Sequence, residues 1–199
     1  MNLIANDCAG AYLYQDWFKT DFMNPFIWCS IDLNNFCCLI ENYDSLNFNN
    51  IECVVETNVS GICFQKSLCP KIIIDGKVEV NYFHYIEDKK YNSPTKVKGY
   101  TAINDVKKYA IDCYTRRLEK MNGEPIFIWD ATRAKWYNKQ NENPIYKIRN
   151  INSNYTVIIY SSKVKTDLTS VPILLNKTND DFEVNQSASN IYKMYLNKL

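Results

Sequence analysis

The chain holds one histidine, His84, in the stretch "NYFHYIED" at residues 81–88. An imidazole ordinarily titrates at about pH 6.5, so it can take a proton from a hydroxyl at neutral pH. The same side chain also serves as a packed residue bonded to backbone or tyrosine. Two further groups able to do chemistry follow one another in "NDCAG": Asp7, a second candidate base, and Cys8, a candidate nucleophile. A thiol in a loop that opens a helix is acidified by the helix dipole, and catalysis by Cys8 would need His84 within about 3.5 Å. Arg117 and Lys120 are the cations suited to a phosphate leaving group. Both also fit the last turns of a helix, where positive charge is favoured without any ligand.

These residues require elements to position them. "LIA" reads as the end of a strand and "NDCAG" as the βα loop after it, leading into a helical "AYLYQDWF". Loops of this kind lie at the carboxyl edge of parallel sheets, where ligands bind. "PFIWCSI" reads as a buried strand and "DLNNFCCLIENYDSL" as a helix capped by Asp32 or Asn34, with Phe36, Leu39, Ile40 and Tyr43 inward. "IECVVE" is a further strand. Asp75-Gly76, between two β-rich runs, predicts a hairpin with strands at about 71–74 and 77–85. Alternation then puts Val78, Val80, Tyr82 and His84 on one face. The longest helix is read in "TAINDVKKYAIDCYTRRLEKMN". Ile103, Val106, Ala110, Cys113, Tyr114, Leu118 and Met121 form its apolar stripe, and Lys108, Asp112 and Arg116 form a charge ladder. "PIFIWDA", "YKIRNI", "YTVIIYSS" and "VPILLN" read as strands and "DFEVNQSASNIYKMYLNKL" as a terminal helix. The expected fold is α/β: a three-layer, mostly parallel Rossmann-like sheet flanked by helices, with an antiparallel hairpin insertion, in a single domain over residues 1–199.

Composition narrows the function classes. The chain has 199 residues, 46% of them hydrophobic, with only 5 Gly and 6 Pro, which suits a compact fold. The 23 basic and 22 acidic residues leave a formal net charge of +1, so no broad field attracts a polyanion and nucleic acid is not the expected partner. Eight cysteines occur without a CxxC pair and beside one histidine, which disfavours structural zinc and suits reduced, buried thiols in a cytoplasmic protein. No window approaches the roughly 20 apolar residues of a membrane span. The glycine-built phosphate motifs, GxSxG, HExxH, the zinc-deaminase pattern and D-x-D are all missing. A metal-independent transferase remains compatible with that pattern, and no cofactor or metal is expected.

In order along the chain, "NDCAGAYLY", "NPFI", "CPKIIIDGKVEVNYFHY" and the element Tyr114-x-x-Arg117-x-x-Lys120-Met121-Asn122 resemble the DUF1919 family, bacterial proteins described as exopolysaccharide biosynthesis proteins. The resemblance spans roughly residues 5–130. It singles out Asn6, Cys8, Gly10, Pro25, Pro70, Asp75, His84, Tyr85, Arg117, Lys120 and Asn122. Three positions depart from the family pattern: Ala9 and Tyr114 stand where it has tryptophan, and Lys120 where it has arginine. Lysine keeps the charge and loses the bidentate fork. The resemblance implies a transferase acting on an activated saccharide in exopolysaccharide or capsule biosynthesis. His84, Asp7 or Cys8 would be its catalytic groups, and Asn6, Gly10, Tyr85, Tyr114, Arg117, Lys120 and Asn122 its substrate contacts. The implied partner is a saccharide or nucleotide-sugar-like small molecule, with a second copy or a polysaccharide-assembly protein as further candidates. The alternative is a non-catalytic carbohydrate-binding or scaffold protein of a polysaccharide assembly system.

Overall fold

The computed structural model describes residues 2–6, 24–27, 29–59, 66–81, 103–130, 147–148, 150–160 and 173–175. The helices expected near residue 11 and at the C-terminus, and the hairpin strand beyond Asn81, lie outside the described residues.

The architecture is mixed α/β. Strands β1 (Asn2–Ala5), β5 (Pro125–Asp130), β6 (Thr156–Tyr160) and β7 (Ile173–Leu175) form one sheet in the order β1-β5-β6-β7. The first three are parallel, with Ala5 opposite Ile128 and Asp130 opposite Tyr160, and β7 runs antiparallel to β6. Strands β2 (Ile51–Val59), β3 (Lys66–Ile74) and β4 (Val78–Asn81) make a separate antiparallel sheet in chain order. The near-continuous apolar run of β5 fits a strand covered on both faces: Phe127, Ile128 and Trp129 have no exposed surface.

The β3–β4 hairpin forms at Asp75-Gly76 as the sequence predicts. Both residues have positive φ, 52° and 66°, and the Lys77 N–H closes the turn on the Ile74 carbonyl at 2.9 Å. That backbone is the signature of a type I′ turn, which glycine and aspartate tolerate. Val78 and Val80 are fully buried while Glu79 and Asn81 stay half-exposed, matching the expected alternation up to Asn81. On the other face Lys71 lies between Glu56 at 2.7 Å and Glu79 at 3.0 Å, an ion triad across all three strands. Burial alone would lower the Lys71 pKa, but the two carboxylates outweigh it and hold the pKa above its ordinary value.

Helix α1 (Leu33–Asn42) begins where Asp32 caps it, its carboxylate accepting the Asn35 N–H at 2.8 Å. Asp32→Ala is expected to cost about 1 kcal/mol of stability, read as a lower urea midpoint at unchanged slope. Helix α2 (Ile103–Leu118) packs on β2 and β3 through Val106, Ala110, Cys113 and Tyr114. Its first apolar residue departs from the predicted stripe, Ile103 being 44% exposed. The charge ladder is also redirected. Arg116 donates through Nε to the Asp112 carbonyl at 3.2 Å and through Nη2 to Cys113 Sγ at 3.3 Å.

Two predicted strands form otherwise. In "PFIWCSI" residues 25–27 make a turn, because the Asn24 side chain accepts the Phe26 N–H at 2.9 Å and donates to the Leu3 carbonyl at 2.6 Å. Among the described residues of this run, Ser30 alone forms a bridge, antiparallel to Asn81. In "YKIRNI" residues 147–148 are helical, and Asn150 and Ile151 N–H groups bond three residues back. Ile148 and Ile151 are both buried, and a spacing of three puts them on one side of a tight helical turn rather than on opposite faces of a strand.

The short run through Ser30 joins the two sheets. Ser30 exchanges both backbone bonds with Asn81, at 2.8 and 2.9 Å, and the next residue, Ile31, donates its N–H to the Asn6 carbonyl at 2.9 Å. The end of β1 and the end of the described part of β4 are therefore two strand spacings apart, on the order of 10 Å. An aromatic chain fills the interior beneath this joint. Phe36 meets Phe127 edge-on at 6.0 Å and Trp129 at 5.1 Å, and Tyr43 packs on Phe127, Phe48 and Tyr155.

Candidate functional site

Asn6 is the first residue past β1 and has no exposed surface. Its N–H donates to the Ile128 carbonyl at 3.2 Å on β5, and its carbonyl receives Ile31. Asn6 stands at a bend that ends the regular run of β1, and Asp7 and Cys8 are the next residues in the sequence. Asp7, Cys8, Gly10, His84 and Tyr85 themselves lie outside the described residues.

Two other elements converge on the same edge. The Ile31 that bonds Asn6 leads directly into the Asp32 cap, so the first turn of α1 stands beside the carboxyl end of β1. Lys147 reaches this turn and hydrogen-bonds Asn34 Oδ1. The Asn35 amide links three parts of the structure, donating to Asp32 Oδ2 at 2.9 Å and accepting the Glu79 N–H at 2.7 Å. Beside Asn6 in the sheet is Trp129, whose indole N–H is buried with no hydrogen-bond partner among the described residues. The sequence offers Asn34 only as an alternative helix cap and gives Lys147 no role. They meet across 113 residues, and no local pattern encodes such a contact.

Asn122, another predicted contact, stands toward the opposite end of the parallel strands. Asn122 lies three residues before β5, and the neighbouring Met121 meets the Tyr43 hydroxyl, which receives a hydrogen bond from Asn2 at the start of β1. The tail of α2 thus approaches the amino end of the parallel strands, opposite Asn6. This follows from chain direction, since a helix leading into a parallel strand ends where that strand begins. Arg117 is half-buried and donates through Nη1 to the Ile27 carbonyl at 3.1 Å. Lys120 and Asn122 are exposed.

Tyr114, expected as a substrate contact, is a core residue. It has no exposed surface, its hydroxyl donates to the Phe48 carbonyl at 3.0 Å, and burial holds its pKa far above the ordinary tyrosine value. Tyr114→Phe is expected to lower stability by about 1 kcal/mol and leave the affinity for any ligand of the β1 edge unchanged. Equilibrium unfolding beside a binding titration separates the two. A loss of affinity at native stability would return Tyr114 to the site.

All six described cysteines are free thiols, five of them buried. Burial pushes the Cys53 thiol up to about 11, against a smaller opposing pull from Lys107, and raises Cys38 as well. Thiols held protonated in this way are poor nucleophiles. Among the described residues no three His, Cys, Asp or Glu side chains group as a metal site, and no helix is long and apolar enough to cross a membrane.

Comparison with family models, with curated proteins and with solved structures found no match.

Proposed function

We propose that the protein is a transferase acting on an activated saccharide in exopolysaccharide or capsule biosynthesis, with its site at the carboxyl edge of β1 and β5. The class rests on the resemblance of residues 5–130 to the DUF1919 proteins. One observation supports the location: the Ser30–Ile31 joint holds Asn6 and Asn81 about two strand spacings apart. Asn6 immediately precedes Asp7 and Cys8, and Asn81 stands three residues before His84.

The order of chain segments supports the same edge. β1 pairs with β5, and the Asn6 carbonyl just past its end receives the Ile31 N–H from a segment outside that sheet. In a Rossmann-like, three-layer reading this is the topological switch point, where ligands bind outside the carboxyl ends of the strands. His84 or Asp7 would then take the proton of an acceptor hydroxyl. Arg117, bonded to the Ile27 carbonyl, serves the fold in this reading.

The test is a thermal-shift screen against nucleotide sugars and polyprenyl-phosphate mimics. A ligand at 100 times its Kd stabilises the folded state by about 2.7 kcal/mol and raises Tm accordingly. A rise with either class that Asp7→Asn or His84→Ala abolishes supports the reading. No rise with any member of the panel overturns it.

The alternative, a non-catalytic carbohydrate-binding or scaffold protein of polysaccharide assembly, is favoured by one specific observation. Arg117, which carries the resemblance, and Tyr114, which stands at a motif position, make contacts that serve the fold. Saccharide binding without turnover of any tested donor, unchanged in His84→Ala, would decide for it.

A further inference from the structure

We draw no further inference here: the strongest candidate, the first turn of α1 with Lys147 against Asn34 and the buried Trp129 indole beside them, rests on a helix N-terminus that Asp32 already caps with a negative charge, while the Trp129 N–H is sealed in the core.

Discussion

Phe36→Ala is expected to remove about 3–5 kcal/mol of folding stability, the range for emptying a buried aromatic site. Phe36 has no exposed surface and touches both Phe127 and Trp129 of β5 from the second turn of α1. Truncation would leave a cavity between the helix and the central strand, and β5 pairs with two parallel neighbours that hold it in place and limit collapse. A domain of this size is typically stable by only about 5–15 kcal/mol, so the variant should stand near its unfolding threshold at 37 °C. Urea denaturation of wild type, Phe36→Leu and Phe36→Ala measures this, with leucine expected between the other two. A loss below about 1 kcal/mol in the alanine variant would contradict the packing of α1 on β5.

If the proposed transferase reading holds, His84→Ala is expected to reduce turnover of a saccharide donor by about 10²- to 10⁴-fold, the usual effect of removing a general base. The motivating geometry is the joint between the sheets, which brings the strand leading to His84 within two strand spacings of the residue before Asp7. Rate measurements on a donor identified by thermal shift, with circular dichroism to confirm folding, supply the test. The parallel variant Cys8→Ala separates base from nucleophile chemistry. If Cys8 acts only as packing, its variant keeps turnover within a few-fold of wild type while His84→Ala does not. Folded His84→Ala protein with wild-type turnover would remove the assignment, and loss in Cys8→Ala alone would transfer it to the thiol.

Much of the secondary structure was legible in the sequence because local rules governed it. The Asp75-Gly76 turn forms where two residues tolerant of positive φ separate β-rich runs, and Asp32 caps α1 three residues before the N–H it receives. Both signals are complete within a few residues. "PFIWCSI" misled because its apolar content suits a strand, while the Asn24 side chain diverts the backbone into a turn first. "YKIRNI" misled because Ile148 and Ile151 differ by three positions, which helical periodicity explains and alternation does not. Tyr114 occupies a motif position that implies a substrate contact, while its place in the apolar stripe of α2 buries it.

Helical and strand periodicity, the hairpin turn, the helix cap and the apolar faces were determined by the sequence itself, since each depends on neighbours a few bonds away. The tertiary structure alone decided that Ile31 would bridge to Asn6, that Lys147 would reach Asn34, and that the tail of α2 would approach the amino end of the parallel strands. Those outcomes depend on strand direction and on pairings between distant segments, and a side chain's type does not specify which end of a sheet it will occupy.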